Sequence, residues 1–581
     1  MQSPLNHAQS DSSGSPNNSA KPKPCLARDF SHYYSHATRK RTESNVKQLY
    51  KYFAIPGIHN LAGGLPHASL FPFDSLEADV SLPNRISPDG NFERAAPSQR
   101  LLIPKESDIS DAPTKIDLTT ALQYGTAEGY PPLRSFIRQF VREILHPSVP
   151  YFGGPEIVLT CGSTDGFCKT IEAFTNIWDE DCDWRARQGL LCEEYAYPNA
   201  IQAVQPRGLN IVPVAVDSHG MKVGGKGGLA DILDHWDFGR GQRPHLMYTV
   251  TLGQNPTGSV LPLRRRREIY SLCRIYDIII IEDEPYWHLQ YPSTARNSES
   301  GEDWTDSSAR GEPSGYPFLD SLVSSYLSID IDGRVIRLDT FSKIIAPGCR
   351  LGWLTAQPDI VERILRITET STQQPSGFAQ GMVSKLILGD QLNGVSTGKS
   401  LDEGNPGWRM DGWVRWLEGL RGGYEKRMQT MCTILEEGKF SPVEETVPQD
   451  VEEWEILNNV QMFDFDWPGG GMFVWIKICL ETHPLWNQMP AADLSNALWK
   501  HLIKKPYRTI VAPGWAFAPT DEGKKTSWRY MRLCFAPMDE SDVALTSQKF
   551  VEGIRSFWQV KCVYCMSNDD DDSCGDEALH P

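Results

Sequence analysis

Four short polar clusters carry the residue types that could do chemistry in this chain. The most specific is Thr340-Phe341-Ser342-Lys343, followed by Pro347-Gly348-Cys349-Arg350-Leu351-Gly352-Trp353. A lysine in a partly desolvated place loses basicity and becomes an amine able to form an imine with a carbonyl. The hydroxyls of Thr340 and Ser342 just before it, and the guanidinium of Arg350 after it, could converge on a phosphate. A second cluster is Asp283-Glu284-Pro285-Tyr286. An aspartate at the end of a buried strand must find a cation or several donors, and a protonated pyridine nitrogen is one such cation. The same aspartate could instead cap a following helix. Asn255-Pro256-Thr257-Gly258 offers an amide, although these are also common turn formers. Gly162-Ser163-Thr164 opens a helical pattern, and a helix N-terminus presents free N–H groups and a positive dipole end to an anion. An ordinary N-cap has the same composition.

Each cluster follows a run that reads as a β-strand: Glu156 to Thr160, His245 to Thr251, Asp277 to Glu282 and Arg334 to Asp339. The third run holds four consecutive isoleucines and is too apolar for a sheet with one wet face. It reads as a central parallel strand covered on both sides. Strands separated by helical segments imply βαβ units, and such sheets bind ligands outside the carboxyl ends of their strands. The class is therefore α/β. Further along, Trp413 to Glu437 reads as a helix, and Gly471 to Ile478 and Ser527 to Phe535 read as strands of a smaller unit. Residues 80–115 are polar and turn-rich, and predict a surface excursion. Asp29 to Tyr52 could form a helical arm. The run Arg264 to Arg267 predicts a solvated helix face.

The chain has 581 residues, enough for at least two packed units. Its net charge of −17 argues against nucleic-acid and anionic-membrane partners. No stretch approaches the roughly 18 apolar residues of a membrane span. The 13 cysteines are scattered, which suits reduced thiols and a cytoplasmic setting, and no metal site is expected. Residues 1–27 predict a disordered leader. A large ligand-binding domain is expected over 115–405, with insertions near 291–316 and 387–412. An N-terminal arm and part of the small domain are expected over 28–114, the rest of the small domain over 406–560, and an acidic tail over 561–581.

The ordered set Ser163-Thr164, Asn255-Pro-Thr-Gly, Asp283-x-x-Tyr286, Ser342-Lys343 and Arg350 resembles the fold-type I aminotransferases that use pyridoxal 5′-phosphate (PLP). The segment Asn60-Leu-Ala-Gly-Gly-Leu-Pro and the tetrad Leu122-Gln123-Tyr124-Gly125 narrow this to relatives of the fungal aromatic amino acid aminotransferases and the kynurenine/2-aminoadipate aminotransferases. The resemblance spans roughly 28–560. It implies a mostly parallel seven-stranded sheet with helices on both faces, plus a smaller α+β domain. It also implies a homodimer acting on an amino acid and a 2-oxo acid such as 2-oxoglutarate.

In that frame Lys343 carries PLP as a Schiff base and moves the proton, and Asp283 pairs with the pyridinium nitrogen. Tyr286 and Asn255 hydrogen-bond the ring oxygen. Tyr197 stacks on the ring, although a core tyrosine would look the same in the sequence. Ser163, Thr164, Thr340, Ser342 and Arg350 hold the phosphate, joined by Tyr124 of the neighbouring subunit. Thr164 stands where relatives often carry another polar residue. Arg532 grips the substrate carboxylate, with Arg529 as competitor on the opposite strand face, and the backbone at Gly64 lines the substrate pocket. The resemblance favours an aromatic amino donor. A 2-aminoadipate or kynurenine donor, another PLP reaction on the same scaffold, or a non-catalytic PLP-binding regulator are the alternatives.

Overall fold

The computed structural model describes residues 26–45, 49, 52, 55, 57, 59, 61–146, 151–295, 313–389, 407–442 and 459–563. Asn60, most of the two expected insertions, nearly all of the leader and most of the acidic tail lie outside the described residues.

Two strands precede the main sheet, the second of them inside the interval 80–115 expected to be a surface excursion. Strand β1 (Ser75–Ser81) pairs antiparallel with β2 (Ser98–Pro104). The alternation in β2 buries Leu101 and Ile103 completely, and this period-2 signal sits inside a mostly polar interval. In the expected arm, Ser31–Tyr33 forms a 3-10 turn and His36–Lys40 a short helix.

Seven strands then form one sheet. They are β3 (Glu156–Thr160), β4 (Gly189–Glu193), β5 (Asn210–Val214), β6 (Leu246–Thr249), β7 (Ile279–Asp283), β8 (Val335–Thr340) and β9 (Gly352–Ala356). Their order is β3-β9-β8-β7-β6-β4-β5. β9 runs antiparallel to both its neighbours, and the other ladders are parallel. The four isoleucines at 278–281 are fully buried and serve two faces by alternation. Ile279 and Ile281 join an apolar cluster with Phe167 and Ile171 of α1 (Ser163–Phe174). Ile278 and Ile280 join a second cluster with Ile269 and Cys273 of α2 (Leu263–Ile275). Helices thus cover both sides of the sheet, so its ends are the places left for a ligand.

The arginine run at the start of α2 is not uniformly solvated. Arg266 is fully buried, on the same face as Ile269, Tyr270 and Cys273. Its Nη1 lies 3.2 Å from Glu282 Oε1, and its Nε donates to the Leu261 carbonyl at 3.0 Å. Glu282 is buried as well and meets Arg337 at 3.4 Å. At about 100° per residue, four consecutive helical positions cannot all face water beside a covering sheet. The one that turns inward meets a carboxylate on β7.

The smaller unit follows the long helix α3 (Arg409–Glu437). It holds an antiparallel sheet of β10 (Phe463–Phe465), β11 (Phe473–Ile478), β12 (Ala512–Pro513) and β13 (Tyr530–Cys534), in the order β10-β11-β13-β12. Helices α4 (Ala491–Ile503) and α5 (Glu540–Trp558) pack on it through Leu494, Leu498, Phe550 and Ile554. The expected strand at 527–535 is shorter, because Ser527–Arg529 forms a 3-10 turn ahead of β13. No helix of the described residues is long and apolar enough to cross a membrane.

Candidate active site

The carboxyl end of β7 places Asp283 in the interior, 5% exposed. The Tyr248 hydroxyl on neighbouring β6 donates to its Oδ2 at 2.9 Å, while Oδ1 is buried with no hydrogen-bond partner. Burial pushes this carboxyl up to about 6, against the downward pull of the Tyr248 and Ser163 hydroxyls. No helix begins here, so Asp283 is not a cap. The arrangement leaves one bare carboxylate oxygen in a dry place, which a protonated ring nitrogen would fit.

A second group of residues surrounds the start of α1. Gly162 occupies the N-cap with φ +97°, and no side chain caps the helix. A Cβ at 162 would lie 2.7 Å from Arg350 Nη2, so the guanidinium occupies the space that only glycine leaves. Arg350 itself has a left-handed backbone, φ +45°. Its Nη1 donates to Ser342 Oγ at 3.3 Å and the Pro347 carbonyl at 2.9 Å, and its Nη2 to the Cys161 carbonyl at 3.1 Å. Thr340 Oγ1 lies 2.9 Å from Ser342 Oγ and accepts the Ser342 N–H at 3.1 Å. Open helix N–H groups, two hydroxyls and an exposed guanidinium make an anion cradle of phosphate character. Tyr197 is half-buried, and burial raises its hydroxyl pKa against the opposing influence of the nearby Thr164, with Asp283 and Arg350 also in its surroundings.

Lys343 follows directly after β8 and is partly buried. Its ammonium makes no hydrogen bond or ion pair among the described residues. Burial holds it below the ordinary lysine value, helped by the Arg532 and Arg350 charges and opposed by Cys534.

Across from it, β13 contributes Arg532. Its Nη1 donates to Asn255 Oδ1 at 2.7 Å. The guanidinium lies 4.2 Å from the Phe473 ring centre and 4.6 Å from that of Phe517. Its Nε is buried without a partner. Tyr286 is buried edge-on to Phe473 at 5.8 Å, and its hydroxyl makes no hydrogen bond among the described residues. The segment around Asn255 is indeed a turn, with a cis Asn255-Pro256 bond and the Gly258 N–H donating to the Gln254 carbonyl at 2.7 Å.

The structure therefore brings together Ser163, Thr164, Tyr197, Asn255, Asp283, Tyr286, Thr340, Ser342, Lys343, Arg350 and Arg532. It does not bring Tyr124 or Gly64 to them within one chain: Tyr124 is 54% exposed, and Gly64 is exposed with open space where a Cβ would stand. Arg529 lies in the turn before β13, 4.8 Å over Trp528, so strand alternation does not define its face. Sequence reasoning missed Tyr248, Phe473, Phe517 and Cys534. The available signals were a tyrosine one strand away from Asp283, and the alternation of β13, which puts Cys534 on the Arg532 face.

Comparison with known proteins places this geometry in a family. Residues 105–446 match the family model described as aminotransferase class I and II. The chain belongs to the class I and II aminotransferases. An aromatic amino acid aminotransferase of Schizosaccharomyces pombe is 32% identical over 456 residues, covering 78% of this aminotransferase and 82% of that protein. The L-tyrosine:2-oxoglutarate aminotransferase of Tapinella panuoides is 33% identical over 462 residues, covering 78% and 75%. A crystal structure of an aminotransferase from Candida albicans superposes with TM-score 0.72 at 28% identity, covering 93% of this chain and all of that one. The family is PLP-dependent, and this aminotransferase has the bare buried carboxylate, the glycine-lined cradle and the unpaired lysine that PLP fits.

Proposed function

We propose that this aminotransferase binds PLP at Lys343 and moves the amino group of an aromatic L-amino acid to a 2-oxo acid such as 2-oxoglutarate. The observation that carries the cofactor assignment is the bare, buried Oδ1 of Asp283 beside an anion cradle and an unpaired lysine. The substrate assignment draws on relatives named for aromatic amino acids and for tyrosine with 2-oxoglutarate.

When bound, PLP supplies an electrophilic carbon and an electron-accepting ring. Asp283 would hold the ring nitrogen protonated, its buried free oxygen being placed to accept that N–H. Arg350, Ser342, Thr340 and the backbone after Gly162 would hold the phosphate, and Tyr197 would stack on the ring. Arg532 would take the substrate α-carboxylate in its fork and so orient the Cα–H bond. Asn255 spends its carbonyl oxygen on Arg532, which leaves its amide N–H free to donate to the ring oxygen beside Tyr286. Lys343 Nζ, with its ammonium form disfavoured by burial, would take the Cα proton and return it. The exposed Tyr124 is suited to a second subunit's phosphate in a homodimer.

The test is absorption spectroscopy of the purified protein with PLP. Phenylalanine should abolish the long-wavelength cofactor band, and 2-oxoglutarate should restore it. A Lys343→Ala variant should lose this cycle. A band that responds to 2-aminoadipate and not to phenylalanine would leave the aminotransferase and overturn the aromatic donor. A wild-type rate in Lys343→Ala would overturn the whole assignment.

A further inference from the structure

A cavity of about 650 Å³ lies away from Lys343. It lies behind the Thr257-Gly258 turn, between the main sheet and the smaller unit. One wall is aromatic. Trp475 and Tyr530 stack with centroids 5.1 Å apart and planes 9° apart. Tyr195 closes the corner at 5.1 Å from Trp475 and 5.2 Å from Tyr530.

Two polar groups of the lining have no protein partner among the described residues and are open to the cavity. Tyr195 is only 5% exposed, yet its hydroxyl makes no hydrogen bond among the described residues. Gln290, 7% exposed, uses its oxygen to accept the Val323 N–H at 2.8 Å, and its amide N–H₂ has no acceptor there. Four carboxylates line the space, against one lysine, Lys477 at the exposed rim, and one histidine, His219. Asp217 is paired with Arg265 and Asp464 with Lys439. Glu194 and Asp466 have no ion pair among the described residues. Glu194 is half-buried beside Tyr195, while Asp466 stands at the mouth.

We propose that this cavity binds an organic cation bearing an aromatic ring. The stacked Trp475–Tyr530 wall offers its π-faces to ring and cation alike. Glu194, which makes no ion pair among the described residues although Arg529 acts on the neighbouring Tyr195 and Tyr530, supplies the charge, with Asp466 attracting the cation at the entrance. The Tyr195 hydroxyl and the Gln290 amide take the remaining polar contacts. The chemistry is opposite to that of Arg532, which selects a carboxylate, so the two sites would not exchange ligands. The inference does not rest on the transaminase assignment.

Phenyltrimethylammonium is the probe, because a quaternary amine cannot form an imine with the cofactor. It would be titrated calorimetrically into the full chain saturated with PLP. One saturable site is expected. Glu194→Gln should weaken binding by about tenfold, as expected for one close charge pair in a partly desolvated place, with its cofactor absorption unchanged as evidence of folding. Arg532→Lys should bind as the wild type does, and the neutral isostere tert-butylbenzene should not compete. No saturable binding, undiminished binding to Glu194→Gln, loss of binding in Arg532→Lys, or competition by tert-butylbenzene would each overturn the proposal.

Discussion

Tyr248 donates to Asp283 Oδ2 at 2.9 Å and so commits one oxygen of a buried carboxylate while leaving the other bare. The hydroxyl both fixes the carboxylate plane and favours its ionised form. Tyr248→Phe should therefore push the Asp283 carboxyl above its value of about 6. A hydrogen bond to a charged group contributes roughly 1.5–3 kcal/mol. The acidic limb of the kcat–pH profile should move to higher pH, with PLP affinity reduced by roughly tenfold or more. An unmoved acidic limb would show that Tyr248 has no part in setting the charge of Asp283.

Gly162→Ala should empty the anion cradle. The new Cβ would stand 2.7 Å from Arg350 Nη2 on a backbone at φ +97°, so Arg350 must move and the turn is strained. Equilibrium dialysis of PLP should show affinity down at least about tenfold. The melting temperature without cofactor should fall only by a few degrees.

Arg532→Lys keeps the positive charge and loses the fork. KM for the amino donor should rise by about two orders of magnitude, with a smaller loss in kcat, read from steady-state kinetics with each substrate varied. Asn255 would lose the donor that its Oδ1 accepts from, so a modest change in the cofactor band should accompany the KM effect.

Glu193 gives a pH prediction away from the chemistry. Its Oε1 accepts from Thr249 Oγ1 at 2.6 Å and from the Val250 N–H at 3.2 Å, while Oε2 is buried and unpartnered. Burial pushes this carboxyl up to about 7 from an ordinary 4.5. The folded state thus binds a proton that the unfolded state has released between those values, and stability falls as pH rises through that window. Glu193→Gln keeps the acceptor oxygen and cannot ionise. Calorimetry should find it close to wild type at pH ~4.5 and more stable than wild type by up to roughly 3 kcal/mol above pH ~7. A gap that shrinks with rising pH would contradict the assignment.

Arg266→Ala should be among the most destabilising changes on α2. It removes one of two guanidinium groups from fully buried Glu282 and opens a hole against the sheet. A loss of about 3–5 kcal/mol is expected in chemical denaturation, with Arg264→Ala as the nearly neutral comparison.

These residues show where the sequence could be read and where it could not. The four clusters were legible because each stands at the end of an apolar run, and in a parallel sheet strand ends are where ligands go. The Ile278–Ile281 run declared a strand buried on both faces for the same local reason. Arg266, Tyr248 and Arg529 were not legible, since their roles depend on partners distant in the chain or on a turn that shortens β13 by a few residues. The β1–β2 pair was hidden because its two buried residues alternate with polar ones in an interval whose average composition is that of a loop. Strands β4, β5 and β9 were not individually anticipated, although Glu194 to Tyr197 after β4 offered a polar cluster like the other four.

The Asn255–Arg532 hydrogen bond joins the main sheet's turn to a strand of the smaller unit. Lys343, Asp283 and Arg350 all lie on the main-sheet side of that seam, while Arg532, with the Phe473 and Phe517 rings that flank it, lies beyond it. With Lys343 holding the cofactor and Arg532 the substrate carboxylate, as proposed, chemistry and carboxylate binding would draw on separate stretches of the chain. A lineage could revise residues 463–535 around the carboxylate grip while inheriting the main-sheet residues intact, provided each revision still met the contacts that span the division, among them the Asn255–Arg532 bond and the Ala196 N–H bond to the Phe517 carbonyl. Divergence in substrate among such chains would then be cheap, and divergence in chemistry costly.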